Sequence, residues 1–350
     1  MGIMLYHYTL WTTGVESASN IFTRIGVYGV SIFYILSGLT LYLVNYNTAP
    51  SNWSLSFFYV KRATRIFPLL WIATAASVAI SARSPTPEAL FSNFSGIFAF
   101  YKWDETIAYG AWSIGNELAF YLVFPILLFA TKKSNLLFYI FLILSFTVYT
   151  FFAFTVLQRS VPFMEQWKSY TNPLNQVFLF ISGVWIGIVF KNIRINSWAI
   201  ITVFIASILL FAFYPVFGDR ILLITNSNRL ILTLSLLGIC IAFYKIQFNL
   251  PGFIDNLLLK LGHSCYSLYL LHPIIYKSGI KFFTIWAIYL FPVPHIVVLI
   301  ITGLTTILIS YLMYYYFERF FIHKQRQMKI HQLLWKRWKS GNRSKGDPKD

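Results

Sequence analysis

The chain has 350 residues, of which 57% are hydrophobic, 20% aromatic and 11% charged, with a mean hydropathy of +0.64. A water-soluble domain needs about 25% Asp, Glu, Lys and Arg, so most of this apolar surface must face lipid, which excludes a soluble enzyme, a coiled coil and a disordered chain. The formal charge of +17 is partly a tail effect, since ten of the 28 basic residues follow Phe317.

The apolar stretches run long and unbroken instead of alternating in short segments, which argues against a β-barrel and for an all-α, polytopic membrane helix bundle. A helix crosses the hydrocarbon in about 20 residues. Met1–Trp11 is apolar but too short to cross. Spans are predicted at 27–45, 65–82, 112–131, 135–157, 174–190, 197–216, 229–246, 264–290 and 295–317. With the truncated first piece counted, the bundle has about ten helices. The stretch 264–290 is over-long and holds Pro273, which predicts a kink or a short break. Cys240 and Cys265 both fall in apolar segments and give no disulfide framework.

Residues 1–320 read as one membrane domain and 321–350 as a basic cytoplasmic tail. The longest loops (46–64, 83–111 and 246–263) are too short for a folded soluble domain, and neither a cleavable signal peptide nor an internal repeat is evident. Lys61, Arg62, Arg65, Lys132, Lys133, Lys191, Arg194, Lys245, Lys260 and the tail fall on one side. The other side holds Arg24, Arg83, Arg159 and Arg220 over longer loops, with Glu16, Glu88, Asp104, Glu105, Glu165 and Asp219. The denser basic side is read as cytoplasmic, with both termini inside. The tail mixes Lys and Arg with Phe320, Phe321, Leu333, Leu334, Trp335 and Trp338, a pattern suited to an anionic lipid surface and not to nucleic acid here. From Gly341 it reads as disordered.

Ionisable groups inside spans are costly and are therefore candidates for function. Four groups stand out. Ser113, Glu117 and Tyr121 repeat at i, i+4 and i+8, a polar stripe on one helix face beside Asn116; the alternative is a helix–helix hydrogen bond. His7 lies between Tyr6 and Tyr8, at a depth similar to that of Glu117, where an imidazole serves as general base or as a structural group. His272 has Tyr269 and Tyr276 at i−3 and i+4, and Cys265 one turn further back. Because Pro273 follows, His272 can equally partner the carbonyls that the proline frees. Arg62 and Arg65, three apart at a span end, form a fork suited to phosphate or an ordinary positive-inside anchor. GxxxxGK(S/T), GxGxxG and GxSxG are absent, and no Cys/His/carboxylate cluster has metal-ligand spacing, so no metal is expected.

Five segments, in order, resemble those of acyltransferase family 3, the integral-membrane O-acyltransferases of bacteria. Gly29-Val30-Ser31-Ile32-Phe33-Tyr34-Ile35-Leu36-Ser37-Gly38 is similar to GV(D/S)LFFVLSG, and Lys61–Pro68 to RRxxRIxP. Trp112–Pro125 is similar to WSLxVExxFYLxFP, Leu261–Pro273 to LGxxSYSLYLxHxP, and Tyr315–Phe320 to a closing YxxE(R/K)PF. The resemblance implies transfer of an acyl group, usually acetyl, from cytoplasmic acyl-CoA to a hydroxyl of a surface or lipid-linked saccharide at the cytoplasmic membrane. Acyl-CoA, with acetyl-CoA first, would be co-substrate, with no permanently bound cofactor. It also implies roles: His7 as the first-helix histidine, Arg62 and Arg65 as the arginines at the cytoplasmic edge, Glu117 as the fourth-helix glutamate.

Depth and resemblance together make His7 and Glu117 a catalytic couple, with Arg62 and Arg65 on the thioester's phosphates. Ser37, Ser113, Asn116, Tyr121, Tyr269 and His272 would line a passage between them. The family normally carries an arginine about three turns before the histidine; here Met1 comes too late for it. The expectation is a missing upstream stretch, against a defective member or one that tolerates a half-helix. No hydrolase-like domain follows the last helix, so the chemistry is expected within the bundle or from another protein. A glycan or lipid transporter is the rival reading, because intramembrane ionisable groups and broken helices fit it too. Oligomeric state, acceptor sugar and acyl group are not legible.

Overall fold

The computed structural model describes residues 1–14, 17–46, 55–81, 84–246, 250–289 and 294–324. Glu16, Arg83 and the tail from residue 325, including Leu333, Leu334, Trp335, Trp338 and the stretch from Gly341, lie outside the described residues. Fourteen α-helices follow one another: α1 (Gly2–Thr13), α2 (Ile21–Tyr46), α3 (Leu55–Ile80), α4 (Pro87–Ser95), α5 (Phe98–Tyr101), α6 (Ala111–Lys133), α7 (Asn135–Phe151), α8 (Trp167–Thr171), α9 (Pro173–Phe190), α10 (Ser197–Phe213), α11 (Asn226–Lys245), α12 (Gly252–His263), α13 (Cys265–Tyr289) and α14 (His295–Leu312). The expected all-α bundle is what the chain forms.

Among the described residues, seven helices are long and apolar enough to cross a membrane: α2, α3, α6, α7 with its continuation to Val156, α9, α11, and α14 with its continuation to Lys324. Two of the nine predicted spans are not in that set. The helix α10 has 17 residues, and α13, with 25, carries Lys277 and Lys281 in its middle. No break occurs at Pro273, which stays inside the continuous α13. The interruption comes instead at Ser264, between α12 and α13. A proline is tolerated inside a bundle helix when the carbonyl it leaves free finds a neighbour; the Tyr269 carbonyl lies beside the His272 ring.

Glycines set the packing of the centre. A Cβ on Gly38 of α2 would meet the Phe180 carbonyl of α9, and one on Gly183 of α9 would meet the Ile35 carbonyl of α2. The two backbones thus touch reciprocally, the close approach that small residues allow between membrane helices. The short α1 rises only about 18 Å and lies against α2 with the Tyr6 ring on Gly26 and Ile3 on Gly29. It is tied to α13 by Tyr8 Oη donating to the His272 carbonyl at 3.1 Å and by a 3.0 Å contact between the Thr12 and Tyr276 hydroxyls. Its end is a left-handed Gly14, φ 67°.

Arg24 and Arg229, which the sequence reading placed in outer loops or passed over, are buried inside the bundle. Arg24 caps the end of α10, donating to the carbonyls of Phe211 (2.8 Å), Ala212 (3.1 Å) and Tyr214 (2.7 Å) and, through Nε, to that of Ala18 (3.0 Å). It supplies the partners that the last carbonyls of a helix lack. Arg229 donates to the Asn175 carbonyl at 3.0 Å and lies over the Tyr149 ring.

The charges segregate by end. Where α2 and α9 finish, Lys191 Nζ lies 3.5 Å from the Tyr46 ring centroid, and Lys191, Arg194 and Lys245 line one recess. At the opposite end, Lys102 pairs with Glu88 at 2.8 Å and Glu105 at 3.7 Å. The hydrogen bond and charge of Lys102 hold the Glu88 carboxyl below the ordinary carboxylate range.

Candidate functional site

One cavity, of about 510 Å³, opens between α1, α2, α13 and the segment before α6. Its walls carry His7, Trp11, Tyr109, Trp167 and His272, with Asp104 and Arg220 among them. His7 is held by rings: it stacks on Trp11 (centroids 5.0 Å apart, planes at 21°) and on His272 (5.4 Å, 25°), and meets the edge of Tyr109 at 6.0 Å. The imidazole of His272 is almost fully buried, 2% exposed. Its Nδ1 is 3.1 Å from the Leu268 carbonyl. A carbonyl only accepts, so Nδ1 bears the hydrogen and the Nε2 lone pair is free in the neutral ring. Arg220 Nη1 donates to Tyr6 Oη at 2.9 Å, and the guanidinium sits over Phe163. This arrangement offers two imidazoles within reach of one small space, surrounded by aromatic faces.

A second cavity, of about 580 Å³, lies between α2, α3, α6 and α13 and collects Ser37, Lys61, Arg62, Arg65, Ser113, Glu117, Tyr121 and Tyr269. Tyr121 Oη donates to Glu117 Oε2 at 2.9 Å, and the Arg62 guanidinium lies 5.6 Å from the Tyr121 ring centroid. Arg62 Nε is buried with no hydrogen-bond partner. Among the described residues the ion pairs are those of Lys102, so neither arginine is neutralised by a carboxylate at contact distance. Glu117 and Glu318 both act on Arg65 through space, and Glu318 itself accepts a hydrogen bond from Ser267 Oγ. Three basic side chains around a void with an unsatisfied guanidinium nitrogen make a dock for an anion.

The two cavities share a wall. Val30 and Tyr269 line both. At the junction Tyr269 Oη donates to the Gly110 carbonyl at 3.0 Å and accepts from Ser113 Oγ at 2.7 Å, so the phenol ring is clamped between the imidazole side and the cationic side. Along α2 the walls run from Gly26 to Val44, about 27 Å at helical rise, close to the thickness of a bilayer's hydrocarbon.

The sequence-predicted residues divide between these stations. Arg62, Arg65, Ser37, Ser113, Glu117 and Tyr121 come together, with the stripe of Ser113, Glu117 and Tyr121 on one wall as expected. His7 and His272 come together on the other side of Tyr269. The expected His7–Glu117 couple is not formed: Glu117 stands one helical turn deeper than Ser113, on the arginine side of the Tyr269 junction. The side chain stacked against His7 is His272. Asn116 lines neither cavity; it is buried in the α2–α6 contact, its Nδ2 donating to Tyr34 Oη at 3.1 Å. Sequence reasoning missed Trp11, Asp104, Tyr109, Trp167 and Arg220 as walls of the imidazole cavity. Asp104 and Arg220 had been counted as loop charges, and the aromatics fall in no polar pattern that would have marked them.

A family model described as "Acyltransferase domain" matches residues 1–315, which include every helix that lines either cavity. No curated protein and no solved structure matches the chain.

Proposed function

The chain belongs to acyltransferase family 3 and is an acyltransferase, and on that premise we propose that it moves an acyl group, acetyl first, from acyl-CoA to a hydroxyl of a surface or lipid-linked saccharide. The observation that carries this reading is that the two cavities lie on either side of shared wall residues, Tyr269 and Val30. The cationic one suits the phosphates of a CoA thioester, with Arg62, Arg65 and Lys61 as donors. The aromatic one suits a sugar, whose apolar faces lie on rings and whose hydroxyls find Asp104 and the imidazoles. The thin arm of the donor would pass Tyr269 from one cavity to the other.

At the junction the acceptor oxygen attacks the acyl carbonyl, the C–O bond forms, the C–S bond breaks and CoA leaves as the thiol. His7 either takes the hydroxyl proton or briefly carries the acyl group. The aromatic packing around His7 excludes water, which would otherwise hydrolyse the thioester. In this reading the cationic end of the bundle faces the cytoplasm, where acyl-CoA is, and the protein is one of the inner membrane with both termini inside. The basic composition of the tail suits anionic lipid of that leaflet.

The deciding experiment is acyl-CoA-dependent release of free CoA by the protein in lipid nanodiscs, with and without a panel of saccharide acceptors. Release that rises with acceptor is expected. A glycan or lipid transporter would release none, and that result would replace the reading.

A further inference from the structure

We propose that His272 is a catalytic base of this site, taking through Nε2 the proton of the acceptor hydroxyl; the inference rests on the acyl-transfer reading above.

The ring is oriented as a base should be. Leu268's carbonyl engages Nδ1 at 3.1 Å, and the Tyr269 carbonyl, which Pro273 leaves without its helical N–H, lies beside the same ring. The backbone thereby fixes the tautomer and leaves the Nε2 lone pair uncommitted, the arrangement by which a second group prepares a histidine for proton transfer. That Nε2 is buried and has no hydrogen-bond partner, in a residue that lines the cavity containing His7. Leaving a buried polar atom unpartnered is costly, so a purely structural side chain here would be expected to find a partner. Tyr8 holds the backbone of the same residue by donating to the His272 carbonyl at 3.1 Å, and Thr306 Oγ1 backs Tyr8 at 2.7 Å. These contacts fix the ring from behind, and the residue forms part of the cavity wall.

The second imidazole also answers what Glu117 leaves open. With the carboxylate on the far side of Tyr269, no anion in the imidazole cavity is hydrogen-bonded to His7. The centroid separation of 5.4 Å between His7 and His272 disfavours protonating both at once. One proton at a time is held there, and the two rings divide the work. As the acceptor oxygen attacks the acyl carbonyl, its proton goes to His272 Nε2. The C–O bond forms, and the bond from the acyl carbon to the leaving atom breaks. That atom is a His7 nitrogen, His7 having first taken the acyl group from CoA as its C–N bond formed, the C–S bond broke and the thiol left with the His7 proton. The departing group then takes the proton back from His272, which ends neutral.

The substitution His272→Asn separates this role from a structural one. An Asn amide can still donate to the Leu268 carbonyl, where Nδ1–H does, but offers no basic atom at the Nε2 position. In nanodiscs, His272→Asn and His272→Ala are both expected to lower kcat by about 10²- to 10⁴-fold, with the KM for acyl-CoA within about threefold of wild type, as for a group used only in the transition state. Limited modification of the wild type by diethyl pyrocarbonate, mapped by mass spectrometry, is expected to carbethoxylate His272 as well as His7. An active wild type beside a His272→Asn variant that keeps half its kcat would overturn the base and leave the acyl-transfer reading intact. Reaction at His7 with none at His272 would do the same. A wild type that releases no CoA with any acceptor would remove the reading and the base together.

Discussion

Replacing the two arginines separates a phosphate dock from an ordinary membrane anchor, and the structure ranks them. Arg62 is half-buried with Nε unpartnered and is acted on by Glu117, while Arg65 is exposed and acted on by both Glu117 and Glu318. A charge-assisted hydrogen bond from a partly buried guanidinium contributes about 1.5–3 kcal/mol, so Arg62→Ala is expected to weaken acyl-CoA binding about 10- to 150-fold at 1.4 kcal/mol per decade. An exposed, partly compensated cation contributes about 0.2–1 kcal/mol, so Arg65→Ala is expected to cost about two- to fivefold. The assay is calorimetric titration of the protein in nanodiscs with a non-transferable thioether analogue of acyl-CoA. The control ligand is the corresponding acyl-pantetheine, which lacks the nucleotide phosphates. Wild type should prefer the CoA form, and Arg62→Ala should lose most of that preference while binding acyl-pantetheine as before. Equal losses for both ligands, or none for either, would refute the reasoning, because the effect would then come from the cavity's shape or from anchoring in the membrane.

Three further outcomes follow from the same geometry. Glu117→Gln, which keeps an oxygen for the Tyr121 hydroxyl but removes a negative charge from the arginine cavity, is expected to lower the KM for acyl-CoA about two- to fivefold and to leave the pH dependence of kcat in place; a collapse of kcat with the KM unchanged would restore the His7–Glu117 couple. Tyr269→Phe should keep the ring between the cavities, lose about 1–2 kcal/mol of hydrogen bonding and retain transfer, whereas Tyr269→Ala should raise acceptor-independent hydrolysis of acyl-CoA relative to transfer; an unchanged ratio of hydrolysis to transfer in the alanine variant would mean that Tyr269 is no barrier. Gly38→Ala pushes a methyl against the Phe180 carbonyl and is expected to destabilise the α2–α9 contact by about 1–3 kcal/mol, read as a fall in thermal midpoint in detergent; an undiminished midpoint would mean that the helices part without cost.

Much of the fold is written in the sequence because a bilayer imposes one crude rule, a run of apolar residues of a given length. Seven of the predicted spans obey it plainly. The exceptions are instructive. The helix α10 is short because Pro215 forces the preceding Tyr214 out of the helix, at ψ 126°, and Arg24, from the start of α2, then satisfies three end carbonyls 187 or more positions away, a partnership that no local pattern records. The break expected at Pro273 is absent because the helix supplies its own remedy at His272, one residue earlier. For the site, periodicity was enough to put Ser113, Glu117 and Tyr121 on one wall, and spacing was enough to bring Arg62 and Arg65 together. Depth was the weak point. Equal distance from one surface, counted in residues, pairs His7 with Glu117, yet they line different cavities on either side of Tyr269. A distance along a helix fixes level only when the tilt and the starting height are known, and a sequence gives neither.

The position of Tyr269 limits how far the donor must travel. On α13 the cationic cavity begins at Cys265 and the imidazole cavity includes His272, with Tyr269 about one turn, or 5 Å, short of that ring. A thioester whose phosphates rest on Arg62 therefore needs to push only its acyl tip past the phenol to reach the two imidazoles. The bulky nucleotide stays on one side, and a sugar on the other need never enter the cationic cavity. The linings of the two voids together span most of the depth of a bilayer along α2, and their shared wall is made by Tyr269, held by two hydrogen bonds, and Val30. On the proposed reading a donor's thin arm would have to displace that ring, and the ring would otherwise bar water and ions, so selectivity of transfer over hydrolysis would be a property of the junction as much as of the histidines.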